Sequence, residues 1–348
     1  MTTLTKRSKP FLCVLSTMPD DNDPPYDPSA HMNGYKWKHH LMDPRDVEKQ
    51  IRSLVAEGVQ VFVNLCDGTP DDPVSGIGLL RVMERLGVAY TGASSPVFDP
   101  SRQQMKAAAR RAGVPVPEWM IVARLEDVDK LVKRLKFPML VKPPHGYSSV
   151  GITRASRVQN VDELRAQLQL ALRVNDAALV EEFIEGREFT CLIAENPDDP
   201  DHPVTIKPVE FRFPAGESFK HYDMKWVDYN SMSVVPTKDA RIEKTLREYT
   251  TRLFQALESD GYARCDFRMD AAGTIYMLEI NPNCGVFYPL EEPGSADYCL
   301  MNDPINHRKF LELIVRAGLK RRDRMLAERL LRRRTKKQPV EVERRAYA

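Results

Sequence analysis

Paired cysteines are missing from this chain. Its six, Cys13, Cys66, Cys191, Cys265, Cys284 and Cys299, are scattered with no C-x-x-C spacing. Neither a zinc ribbon nor a disulfide framework is indicated, and small buried thiols in a reducing compartment are the expectation. Long apolar runs are missing as well: Phe11-Leu12-Cys13-Val14-Leu15 is too short for the core of a secretory signal, and no run approaches the length of a membrane span. A soluble, cytoplasmic protein is therefore expected. No internal repeat is visible. Net charge is nearly absent, +2 over 348 residues, but it is unevenly placed. From Arg316 onward 13 Lys and Arg face four Asp and Glu, so this tail carries +9 and the remainder −7. Leu319, Met325, Leu330 and Leu331 punctuate the arginines, which reads as a basic helix, solvated and terminal. It holds no interleaved aromatics that would stack on bases, so nucleic acid is not an expected partner.

What is present is enough apolar residue, 42%, for more than one packed core. Chemistry concentrates in three stretches. In Tyr276-Met277-Leu278-Glu279-Ile280-Asn281-Pro282-Asn283 an apolar strand delivers a carboxylate and a carboxamide two residues apart, hence to one face, with Leu278 and Ile280 expected on the other. Tyr262-Ala263-Arg264-Cys265-Asp266-Phe267 reads as the preceding strand, folded back by Asp270-Ala271-Ala272-Gly273. Asp266, Glu279 and Asn281 then form a cluster of hard oxygens suited to Mg²⁺, against the plainer reading of surface acids beside a hairpin. The second stretch, Phe137 to Lys142-Pro143 followed by His145-Gly146-Tyr147-Ser148-Ser149-Val150-Gly151, carries a lysine into a loop of small residues. Such loops let backbone N–H groups approach phosphate, although Gly and Ser also mark ordinary turns. The third, Ala178 to Thr190, places Glu181, Glu182, Phe183 and Ile184 where a purine edge could be met, and Glu188 where a ribose hydroxyl could donate.

Together these stretches resemble the ATP-grasp superfamily, and within it the D-alanine–D-alanine ligase-like enzymes, over roughly residues 50 to 315. The resemblance implies an α/β (α+β) ATP-grasp fold with a parallel N-terminal αβ lobe and two lobes that clamp ATP. Expected bounds are 1–97 for the N-terminal lobe, 98–184 for the central lobe with the phosphate loop, 185–318 for the lobe with the Mg²⁺ site, and 319–348 for the basic tail. ATP binding is implied for Arg102, Lys142, Ser148, Ser149, Val150, Glu181, Glu182, Phe183, Ile184, Glu188 and Lys225. Two Mg²⁺ ions, or Mn²⁺ in their place, fall to Asp266, Glu279 and Asn281. Arg264 is implied at the oxyanion, Lys225 at the terminal phosphate, and Gly146 to Ser149 as the lid, with Ser148 catalytic. The implied reaction joins a small carboxylate to an amine, of an amino acid or peptide, through an acylphosphate; a homodimer is compatible with the resemblance.

Where the chain departs from the family, it does so on the substrate side. Leu15-Ser16-Thr17-Met18-Pro19 lacks a glutamate that reads an amino group, Cys66-Asp67-Gly68 replaces a histidine-glycine pair, and Gly285-Val286-Phe287-Tyr288 stands where a serine is usual. Asp67, Gly285, Tyr288 and the loop 19–35 are the expected specificity elements. A hydroxyl acceptor, a carboxylase or kinase on the same nucleotide site, and a non-catalytic nucleotide-binding scaffold are the competing readings. His31, His39 and His40 are assigned to the surface, and Cys284 to packing.

Overall fold

The structure is a computed structural model that describes residues 9–17, 25–43, 45–66, 76–145, 149–226 and 231–335. The N-terminal lobe begins with β1 (Leu12–Ser16), β2 (Trp37–Leu41), α1 (Val47–Ala56), β3 (Val61–Asn64), α2 (Ile77–Leu86) and β4 (Ala89–Tyr90). Its four strands lie in the order β2-β1-β3-β4, all parallel. β1 and β3 are apolar at nearly every position, as strands covered on both faces must be. β2 is a strand that the sequence pattern does not reveal. Its residues Trp-Lys-His-His-Leu alternate between exposed and half-buried, because it is the sheet's edge and buries little. His31, His39 and His40 nevertheless stay at or near the surface, as expected.

α3 (Arg102–Arg111) opens with a capping box, in which the Ser101 side chain accepts from Gln104 N–H and the Gln104 side chain answers to the Ser101 N–H. Next come β5 (Trp119–Val122), α4 (Val128–Arg134), β6 (Met139–Lys142), β7 (Arg157–Val158), α5 (Val161–Val174) and β8 (Ala178–Glu182). They form a central lobe, an antiparallel sheet in the order β5-β8-β6-β7, whose core includes Val122, Leu131, Met139, Leu164, Leu168 and Val180.

The last lobe comprises β9 (Arg187–Ala194), β10 (Val204–Thr205), β11 (Val209–Arg212), α6 (Tyr222–Trp226), β12 (Ser233–Pro236), α7 (Ala240–Ala256), β13 (Tyr262–Met269), β14 (Ile275–Pro282), α8 (Ser295–Met301) and α9 (His307–Thr335). Its antiparallel sheet runs β12-β11-β9-β13-β14, with β10 paired to β9. One face packs on α7 and also on α3, whose Met105 and Ala109 join Phe189, Cys191, Cys265 and Ile280 in one core. α3 thus belongs by contact to this sheet rather than to the central lobe. Helices α8 and α9 close a further core that takes Leu12, Val14, Val61 and Val63 from the N-terminal sheet, Leu192 and Tyr262 from this one, Phe287 from the loop after β14 and Phe310 from α9 itself.

α9 runs unbroken across position 318, so the expected solvated tail is in its first half a docked helix. Gly318 lies on β4, where a Cβ would meet Tyr90 O at 2.3 Å. Arg321 donates to Gly92 O at 2.7 Å and to Tyr90 O at 2.8 Å. Leu330 and Leu331, further on, are exposed.

Candidate active site

β13 is regular, and residues of one parity, Ala263, Cys265 and Phe267, face the core. Arg264, Asp266 and Arg268 therefore share the opposite face. β14 is not regular: Asp266 pairs with Glu279 but Phe267 pairs with Met277, which leaves Leu278 as an extra residue. The bulge switches the parity of the strand. Ile275 and Met277 face the core before it and Ile280 after it, so Glu279 and Asn281 turn to the face of Asp266. Ile280 does lie opposite them as the alternation predicts, whereas Leu278 is displaced by the bulge and Met277 takes the core position instead.

The three side chains of the expected oxygen cluster are brought together, with Asn281 presenting its amide nitrogen. Asn281 Nδ2 lies 3.4 Å from Asp266 Oδ2 and 3.3 Å from Glu279 Oε1. Arg264 grips Asp266 through Nε at 3.1 Å and Nη2 at 2.9 Å, and Thr190 Oγ1 donates to Asp266 Oδ1 at 2.5 Å. Arg102 Nη1 donates to Glu279 Oε2 at 2.9 Å and its Nε to Pro143 O at 3.2 Å. Burial alone would push the Glu279 carboxyl up; Arg102, Lys142 and Arg264 overcome it and hold it at about 2. Asp266 is likewise lowered, by Arg264 and Lys220 against burial. Both acids are therefore ionised at neutral pH, which a Mg²⁺ site requires. Among the described residues no three His, Cys, Asp or Glu side chains gather as a metal site, so this trio depends on its carboxamide. Turning the Asn281 amide over would present its oxygen beside the two carboxylates. The donor set fits a hard divalent cation.

Lys142 does leave β6 toward the site, but its ammonium is ion-paired with Glu181. Lys106, 1% exposed, approaches the other Glu181 oxygen at 2.7 Å without hydrogen-bond alignment. Burial would raise the Glu181 carboxyl, and the two lysines hold it at about 2 instead. Glu181 thus contributes its side chain to this buried array. On the hinge that follows, Glu182 N–H is bonded to Glu118 O and Phe183 N–H to Pro138 O, at 2.9 and 2.8 Å. Ile184 N–H has no hydrogen-bond partner among the described residues.

Glu188 is buried between two cations, Lys220 Nζ at 3.1 Å and Arg268 Nη1 at 3.0 Å. Leu140, Ile152, Phe183 and Phe219 form a small apolar cluster beside it, with the two phenyl rings edge-on at 5.6 Å. Of the phosphate loop, Ser149 and Val150 are described. Ser149 adopts φ 60° and donates from Oγ to Lys220 O at 3.0 Å, while Val150 is exposed. Tyr222 N–H bonds to Ile152 O at 2.9 Å, which ties the loop to the start of α6 and so to the backbone of Lys225. Gly146 to Ser148 and Asp67 lie outside the described residues, as does the side chain of Lys225.

Among the residues expected to set specificity, Tyr288 meets Tyr26, with hydroxyl oxygens 3.1 Å apart and ring centres 4.6 Å apart. Gly285 lies beneath both; a Cβ there would sit 2.8 Å from each hydroxyl. Asp297, fully buried, fixes the loop by accepting from Phe287 N–H at 2.8 Å and Gly294 N–H at 3.0 Å. Cys284 is buried nearby and burial pushes its thiol up to about 12, so it is a packing residue and not a thiolate.

Sequence motifs pass over several of these groups. Lys220, Arg268 and Asp297 belong to no recognised motif, although the two-residue period of Arg264, Asp266 and Arg268 is a signal the sequence offers, whereas Tyr26 falls within the expected specificity loop 19–35.

The D-ala D-ala ligase C-terminus family model matches residues 108–288. D-alanine–D-alanine ligase B of Chromobacterium violaceum is 33% identical over 253 residues, 71% of this chain and 77% of the relative. The D-alanine–D-alanine ligase of Haemophilus influenzae is 29% identical over 266 residues, 74% of this chain and 83% of the relative. Among solved structures, the Bacillus anthracis D-alanine–D-alanine ligase complexed with ATP superposes with a TM-score of 0.66 at 18% identity, covering 91% of this chain and 99% of that one. The VanG D-Ala:D-Ser ligase of Enterococcus faecalis gives 0.66 at 18% identity, over 90% and 99%. The ATP-grasp fold, the family match across the hinge, the acid cluster and the loop beyond it, and the relatives' identity over most of their length together place this chain in the D-alanine–D-alanine ligase family.

Proposed function

We propose that this family member, an ATP-dependent carbon–nitrogen ligase, is of the acid–amino acid type and joins the carboxylate of an amino acid or peptide to an amine through an acylphosphate. The observation that carries the reading is the convergence of Asp266, Glu279 and Asn281 on one face, ringed by Arg264, Arg102 and Lys142. Mg²⁺ held by that trio would neutralise the β,γ-phosphates and the charge that develops on transfer. Lys142, released from Glu181, and Lys225 would position phosphates. Ile184 N–H would meet the purine edge and Glu188 would accept from ribose hydroxyls. Arg264, already fixed by Asp266, would place a planar cation near the tetrahedral oxyanion without reorganisation.

The acceptor side differs from a serine-based site. Two phenol hydroxyls over Gly285 favour a substrate with a polar end that meets neutral groups, and Asp67 would add selectivity from the N-terminal lobe. The test is phosphate release from Mg·ATP against pools of amino acids and dipeptides, with mass detection of a conjugate. Pool-dependent phosphate with a condensation product is expected. Phosphate transfer to a stable acceptor, with no conjugate, would overturn the ligase reading.

A further inference from the structure

Arg264, Asp266 and Arg268 follow one another on β13 at two-residue intervals, and the first two carry the oxyanion and metal roles proposed above. Arg268 is 2% exposed. Its Nη1 donates to Glu188 Oε2 at 3.0 Å and to Ser218 O at 2.7 Å, and its Nη2 to Gly186 O at 2.8 Å. The guanidinium carbon lies 4.6 Å from the centre of the Phe183 ring. Gly186, at φ 135°, lets the hinge come this close: a Cβ there would meet Met269 O at 2.1 Å. One side chain therefore touches the hinge aromatic, the hinge turn, the carboxylate assigned to ribose, and the segment that runs through Phe219 and Lys220 into α6.

We propose that Arg268 is a positioning residue for the nucleotide, which aims the Glu188 carboxylate at the ribose hydroxyls and couples the hinge to the segment that carries Lys220 and α6. The proposal rests on the reading of Glu188 as the ribose acceptor. Geometry supports it beyond simple charge balance. Lys220 already neutralises Glu188 through Oε1 at 3.1 Å, so a second cation is not needed for that purpose. What Arg268 adds is direction, because a rigid planar fork binds three acceptors at once where a lysine ammonium on a flexible stem would not hold them in register.

The test compares the full chain with Arg268→Lys and Arg268→Met. Competition against a fluorescent ATP analogue gives relative affinities for ATP and 2′,3′-dideoxy-ATP, steady-state assays give KM for ATP and kcat, and thermal unfolding reports the fold. The wild-type protein is expected to prefer ATP by roughly tenfold or more, the worth of hydrogen bonds to a charged acceptor. Both variants are expected to lose most of that preference and to raise KM for ATP by about tenfold, with kcat changed much less. Arg268→Lys keeps the buried charge, so it carries the test if Arg268→Met fails to fold. A folded Arg268→Lys protein with unaltered ribose preference and KM would reduce Arg268 to a structural ion pair. Equal binding of the two nucleotides by the wild-type protein would overturn the reading of Glu188 itself, and the proposal with it.

Discussion

Glu181 answers two buried ammonium groups at once, those of Lys106 and Lys142. Its folded pKa of about 2 lies below the ordinary carboxylate value, so the stability it contributes is complete above about pH 4.5 and is lost as pH falls toward 2. Glu279, also held at about 2, acts in the same window. Urea midpoints are therefore expected to be nearly flat from pH 7 to 5 and to fall steeply below 4.5; a midpoint unchanged down to pH 3 would contradict both assignments. Glu181→Gln strands two buried ammonium groups and should cost about 3–5 kcal/mol, the usual penalty for breaking a buried pair from one side. Lys106→Met leaves Glu181 its Lys142 partner and should cost markedly less. Glu279→Gln makes a different prediction. It removes a proposed metal ligand at a strand end where one side is open, so turnover should fall by at least about 10²-fold while the unfolding temperature moves little. Turnover within a few-fold of wild type would sink the metal assignment.

At the scale of elements, the bulge at Leu278 is what makes β14 serve two masters, a core before it and a site after it. Deleting Leu278 removes the extra residue, and simple alternation from Met277 then keeps Glu279 and Asn281 on the face of Asp266 and Ile280 in the core. The variant is expected to fold and to retain ATP-dependent phosphate release; a folded variant without phosphate release would show that the local twist of the bulge, and not strand parity alone, aims Glu279. The same strands mark the limit of what sequence discloses. The Arg-Cys-Asp and Glu-Ile-Asn patterns are legible because strand period is 2 and the residue types are chemical, but alternation cannot announce an extra residue, so it puts Leu278 on the core face where the structure has Met277. Edge strand β2 was illegible for another reason: with one neighbour and little burial it needs no apolar run. Arg268 and Lys220 carry no pattern of their own, each being one cation among 51 Lys and Arg, until the fold sets both against Glu188.

In the whole molecule, the N-terminal and last lobes share one core, whereas the central lobe has its own and reaches the rest through the ionic and aromatic contacts of the site. α9 strengthens the first union. Its basic residues meet acids and carbonyls of the body at Arg321–Asp260, Arg324–Glu195 and Arg316–Asp198, so the charge asymmetry of the sequence is partly spent within the fold. These contacts are not equal. Arg316 and Asp198 are both more than half exposed, and such a pair is worth about 0–1 kcal/mol and is screened by salt. Arg321 is largely buried, donates to the two carbonyls that leave β4, and stacks over Tyr90 with its guanidinium carbon 4.3 Å from the ring centre. Replacing it by Met takes a donor from both carbonyls and the cation from Asp260, which keeps only its bond from Ser94 N–H, so a loss of about 2–4 kcal/mol is expected. Arg316→Met should lose less than about 1 kcal/mol. Chemical denaturation at low and high salt separates the two: the Arg316 effect should vanish in high salt and the Arg321 effect should persist. Because the N-terminal lobe carries Tyr26, proposed to meet the acceptor, while the proposed nucleotide site lies between the other two lobes, loosening α9 through Arg321→Met should also raise KM for the amino acid substrate more than KM for ATP. Equal rises in both would mean that α9 supports the clamp itself and not the seating of the N-terminal lobe over the loop of Tyr288.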